Sequence, residues 1–122
     1  MTTKPETAAL GHRGEAVAAK FYLAQGYLLL QHNYRTRMGE IDLILYRAGQ
    51  LVFAEVKTRT DPQGLAPRLA VDYHKQRRII AAAEMYLQKS SFADAAIRFD
   101  VVEVVPGPAG WQVHCIRDAF TC

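Results

Sequence analysis

Cysteine is scarce in this chain, and its two copies, Cys115 and Cys122, both fall near the C-terminus. Neither stands in the spacing of a zinc site, and His12, His32, His74 and His114 are scattered without forming a short-range ligand pair with them. Free thiols and no zinc are therefore expected. Long apolar runs are also absent. None approaches the roughly 18 residues needed to cross a bilayer, and the stretch from Met1 to Gly14 lacks the apolar segment of a signal peptide. A soluble, cytoplasmic protein with no membrane partner is the expectation. No internal repeat or low-complexity tract interrupts the chain. The formal net charge is only +3, too small by itself to identify a nucleic-acid partner.

What is present is ordinary globular composition. Half of the 122 residues are hydrophobic and 22% are charged, enough for one core and one domain spanning 1–122, with flexible ends expected at 1–8 and 118–122. From Leu10 to Gln25 the apolar positions Leu10, Val17, Phe21 and Ala24 recur at helical intervals, and Gly26 follows as a C-cap. Tyr27 to Leu30 reads as a strand and Asn33 to Gly39 as a basic turn. Two further strands form a hairpin, and a loop over 60–68 follows, marked by Asp61-Pro62, Gly64 and Pro67. Asp72 is placed to cap a second helix running to Lys89 with an apolar stripe of Ile79, Ala83, Tyr86 and Leu87. Ser90-Ser91 breaks it. Strands at 97–105 and 111–116 flank the turn Pro106-Gly107-Pro108-Ala109-Gly110. The order αβββαββ predicts an α/β protein, a mixed sheet flanked by helices.

The hairpin carries the chemistry. Its arms are Glu40 to Tyr46 and Leu51 to Lys57. With Ala48 and Gly49 as the two loop residues, paired positions sum to 97, which sets Asp42 opposite Glu55 and Glu40 opposite Lys57. Lys57 is two residues from Glu55 and shares its face. Facing carboxylates repel in an apolar hairpin, and such a pair persists where a cation sits between them. A divalent metal is the natural candidate. Charge is also uneven: from 57 to 78 there are six basic residues (Lys57, Arg59, Arg68, Lys75, Arg77, Arg78) against Asp61 and Asp72, an excess of +4. Lys75, Arg77 and Arg78 form a basic edge on the second helix.

Asp42 followed by Glu55-Val56-Lys57 resembles the PD-(D/E)xK nuclease pattern. Gly14-Glu15, Gly39-Glu40-Ile41-Asp42-Leu43-Ile44, Val52 to Arg59, the segment 64–71, Lys75 and Arg98-Phe99-Asp100-Val101-Val102 together resemble the YraN-like family, small bacterial proteins predicted to be nucleases and similar to Holliday junction resolvases. The resemblance implies a restriction-endonuclease-like fold and Mg²⁺ (Mn²⁺ as substitute) held by Asp42, Glu55 and the Val56 carbonyl, with Glu15 reaching in from the first helix. It implies hydrolysis of phosphodiester bonds in branched or structured DNA, with Lys57 orienting the attacking water or offsetting charge. Arg35, Arg37, Arg59, Lys75, Arg77 and Arg78 are the residues expected to meet nucleic-acid phosphate. Resolvases of similar fold work as dimers, so the resemblance also admits a homodimer. Ile41 stands where the pattern's name has proline, and Leu69 where the family commonly has an acidic residue.

Plainer readings accompany these. The triad could be a cross-strand ion network on a non-catalytic nucleic-acid-binding or protein-interaction module with a vestigial site. Glu15 could be a solvated helix residue, Glu40 a salt-bridge partner positioning Lys57, and Asp100, if buried, a structural hydrogen-bond acceptor. Lys75, Arg77 and Arg78 would by default face solvent. Tyr34, Tyr73 and Tyr86 read as core or interface residues.

Overall fold

A computed structural model of the protein describes residues 5–59 and 71–122, with side chains from residue 12 onward. The loop expected over 60–68 and the departure at Leu69 lie outside the described residues. The elements run α1 (Pro5–Leu23), β1 (Leu28–Arg35), β2 (Glu40–Arg47), β3 (Gln50–Thr58), α2 (Tyr73–Lys89), β4 (Ala96–Gly107) and β5 (Gly110–Phe120). This is the expected order. The five strands form one sheet in the order β1-β2-β3-β4-β5, antiparallel except for the parallel pair β3–β4. The crossover between those two strands carries α2, as a parallel connection requires.

The hairpin turn forms as read. Ala48 and Gly49 both have positive φ, 48° and 84°, the requirement of a two-residue type I′ loop whose twist matches the strands. The register follows, with Arg47↔Gln50 through Leu43↔Ala54. At α2 the Asp72 side chain accepts the Lys75 backbone N–H at 2.9 Å and Ser90 ends the helix, a side-chain cap satisfying one orphan donor of the first turn.

The sheet buries both faces. On one, Ile44, Leu51, Phe53, Phe99 and Val101 pack with Ile79, Ile80 and Ala83 of α2. On the other, Leu43, Leu45, Val52, Ala54, Val102 and Val104 pack with Ala18 and Tyr22 of α1. Tyr34 and Tyr86 meet edge to face at 5.4 Å on the α2 side, whereas Tyr73 is exposed.

Several boundaries differ from expectation, three of them by more than a residue or two at one end. β1 continues to Arg35, so the basic turn shortens to Thr36–Gly39, closed by hydrogen bonds between Thr36 and Gly39. α1 begins at Pro5, a residue suited to the first helical position because it has no N–H to leave unpaired. β5 reaches Phe120, whose ring stacks on Phe99 at 5.0 Å. Residues 118–120 finish that strand, with Phe120 packed on Phe99.

Candidate functional site

Two glycines set the site's walls. A Cβ on Gly14 would fall 1.8 Å from Thr58 Oγ1, so the α1 backbone lies directly against the Thr58 side chain at the end of β3 and delivers the neighbouring Glu15 to that end of the sheet. A Cβ on Gly39 would fall 2.7 Å from the Arg78 carbonyl oxygen, which brings the β1–β2 turn against α2. Any larger residue at either position would push these elements apart.

Between those walls the hairpin splits. The β2–β3 ladder ends at Leu43↔Ala54, and β1–β2 has no pair at Asn33/Asp42, where Asn33 takes a left-handed φ of 51°. The period of two breaks there. Leu43 packs on the α1 side, yet both Tyr34 and its partner Ile41 join the α2-side cluster. Asp42, released from the ladder, turns its Oδ2 across the gap to accept the Val56 backbone N–H at 2.8 Å. Strict alternation, assumed from the sequence, does not describe this residue. The Glu40–Lys57 pair expected from the same register does not form, because the ladder has already ended; Glu40 pairs with Arg35 across β1–β2 at 3.5 Å.

Asp42 and Glu55 are both buried, at 9% and 5% exposure. Burial, and then the charge of Glu55, push the Asp42 carboxyl up from 3.8 to about 8; the Val56 N–H and Lys75 oppose this, while Glu15 adds to it. Charges from both helices thus reach Asp42. Lys57 is half-buried, and burial followed by the neighbouring Lys75 charge lowers its ammonium below the usual lysine range. Lys75, from the first turn of α2, reaches in to place Nζ 2.8 Å from Glu55 Oε1. Burial pulls Lys75 down, but its hydrogen bond to Glu55 and that carboxylate's charge outweigh burial and raise it. Lys75, which reads from the sequence as facing solvent or meeting phosphate, also reaches into this cluster. Only tertiary packing reveals this.

The donor set suits a hard divalent cation. Among the described residues no three His, Cys, Asp or Glu side chains gather closely enough to hold a metal alone. Mg²⁺ asks for less, commonly one or two carboxylates completed by water and substrate phosphate; Asp42 and Glu55 lie near enough for the Glu55 charge to act on Asp42 and could provide that, although the ladder pair Asp42↔Glu55 expected from the register does not form.

Beside this cluster lies a groove of about 390 Å³ lined by Arg35, Arg37, Glu40, Lys75 and Arg78, with Thr36, Met38, Gly39 and Ile79. Four of the six residues expected to contact phosphate therefore share one concavity. Arg77 is exposed and does not line the groove, and Arg59 forms an ion pair with the buried Glu103. Asp100, wholly buried, is a hydrogen-bond acceptor as the plainer reading held: it takes Arg98 Nε and Nη2 at 2.8 and 2.9 Å, Tyr22 Oη at 2.7 Å and the Asp118 N–H at 3.0 Å.

A five-stranded mixed sheet between two helices in the order αβββαββ, with an Asp at the hairpin split and Glu-x-Lys on the next strand, defines the restriction-endonuclease-like class of fold. Within that class the chain belongs to the uncharacterised protein family UPF0102, the YraN-like family, whose model matches residues 14–104. It is 41% identical over 114 residues to a UPF0102 protein of Caldanaerobacter subterraneus subsp. tengcongensis, covering 91% of this chain and 93% of that one. It is 46% identical over 113 residues to a UPF0102 protein of Symbiobacterium thermophilum, covering 91% and 95%. Among the described residues no helix is long and apolar enough to cross a membrane.

Proposed function

We propose that the protein is a Mg²⁺-dependent endonuclease that hydrolyses phosphodiester bonds in branched or structured DNA. The observation that carries this reading is the buried pair Asp42 and Glu55, two carboxyl groups brought together at the open end of the sheet with Lys57 beside them and a cationic groove alongside. Such a pair is costly without a cation and useful with one. Asp42 and Glu55, with the Val56 carbonyl, would hold the ion, and Glu15 would reach it directly or through water. When bound, Mg²⁺ supplies Lewis-acid polarisation of the scissile phosphate and a more acidic attacking water. Lys57, its ammonium destabilised by burial and by Lys75, is suited to orient that water and exchange a proton with it. Arg35, Arg37 and Arg78 would hold the flanking phosphates.

One observation favours a second reading, a non-catalytic nucleic-acid-binding module. Lys75 Nζ on Glu55 already neutralises the carboxylate that a metal would need. A cleavage screen of branched, single-stranded and duplex DNA and RNA with Mg²⁺ or Mn²⁺, run beside Glu55→Ala, separates the two. The nuclease reading expects cleavage of a branched DNA by wild type and none by the variant. Binding that is equal in EDTA, with no cleavage by either protein, supports the module.

A further inference from the structure

Resting on the reading of Asp42 and Glu55 as metal ligands, we propose that Lys75 is a displaceable internal counter-ion, occupying Glu55 in the metal-free protein and released to nucleic-acid phosphate when a divalent ion binds.

The geometry states the conflict. Lys75 Nζ donates to Glu55 Oε1 at 2.8 Å. A magnesium ion binds oxygen at about 2.1 Å and demands near-octahedral geometry. With Lys75 in place, two ammonium groups and the ion would crowd two carboxylates, and Glu15 at the margin does not balance them. Lys57 is held at the end of the central strand β3, whereas Lys75 is the third residue of a surface helix on a long, flexible side chain. Lys75 is therefore the one that yields.

Its alternative position is already built. Lys75 also lines the groove with Arg35, Arg37 and Arg78, where among the described residues the one carboxylate is Glu40, itself engaged with Arg35. An ammonium released into that groove joins three guanidinium groups and needs an anion, which a phosphodiester backbone supplies. Divalent metal and phosphate should thus bind with positive cooperativity, each raising the other's affinity by the same factor. The metal-free cluster is correspondingly held shut by an ion pair that the substrate helps to open.

Calorimetric titration of Mg²⁺ into the full-length protein tests this without any activity readout. Lys75→Met is expected to bind Mg²⁺ about fivefold or more tightly than wild type, because the competing cation is gone, while Lys75→Arg stays near wild type. Binding detectable only in Lys75→Met gives the same support. Equal affinities for wild type and Lys75→Met overturn the counter-ion role and leave the metal reading standing. No Mg²⁺ binding by any of the three overturns both. Should Lys75→Met fail to fold, ¹⁵N NMR of the wild-type side chain decides. Mg²⁺ should move the Lys75 ammonium signal from a protected to a fast-exchanging state, and an unchanged signal at saturating Mg²⁺ overturns the proposal.

Discussion

The sheet buries carboxylates in two places, and the two are opposites. Asp100 is satisfied on every side: a bidentate guanidinium, a tyrosine hydroxyl and a backbone N–H use both its oxygens, and burial with the Asp100 charge holds the Tyr22 hydroxyl protonated. Asp42 and Glu55 are buried near each other beyond the end of the ladder, so that one carboxyl holds its proton far above the ordinary range and two lysines crowd the other. A complete network rigidifies a core, whereas a partly compensated one leaves charged groups whose pairing can change. Burial alone does not distinguish structure from function; satisfaction does.

Matched amidation breaks the comparison most sharply. Asp100→Asn should cost about 3 kcal/mol or more in urea denaturation, because Arg98 loses its buried partner charge. Glu55→Gln in the metal-free protein should cost clearly less, because the Lys75 ammonium it unpairs is one-third exposed and can turn to solvent. Equal losses in both variants would make the Asp42/Glu55 cluster structural too.

Next in size is the wall between α1 and β3. Gly14→Ala puts a methyl into Thr58 and should destabilise by about 1–3 kcal/mol, with Thr58→Ala recovering part of the loss in the double variant. Additive losses would place the fault elsewhere in α1.

The pH response follows from Asp42, whose carboxyl is raised in the folded protein from 3.8 to about 8. Between those values the folded state binds more protons than the unfolded one, so stability without divalent ions should fall as pH rises through that window. Asp42→Asn should flatten the slope. A wild-type profile that rises with pH from 4 to 8 would contradict the assignment. The smallest effect lies at the hairpin tip, where Ala48 sits at φ 48°; Ala48→Asn should stabilise by about 0.5 kcal/mol, as Asn-Gly suits a type I′ loop better.

Much of this was legible in the residues. Ala48-Gly49 between two apolar runs dictated the turn and the sum-of-97 register, and Asp72 before a helical stripe marked the start of α2. Gly14 and Gly39 stood in motifs whose packing reasons became visible only with their neighbours, Thr58 and the Arg78 carbonyl. The break at Asn33/Asp42 leaves no mark on the apolar alternation, although Asn is among the residues that tolerate left-handed φ. Lys75 cannot be placed from spacing, since its partner Glu55 lies 20 residues away in the sequence. β1 was cut short because its charged end resembled a turn, and an edge strand tolerates such residues.

The central claim is that Asp42 and Glu55 are together in order to hold a divalent ion. Thermal melting of wild type and Glu55→Gln with and without saturating Mg²⁺ or Mn²⁺ tests it most directly, since only a ligand of the folded state raises the midpoint. Wild type should rise by about 5 °C or more and the variant much less. No shift in wild type, or the same shift in both proteins, would contradict it.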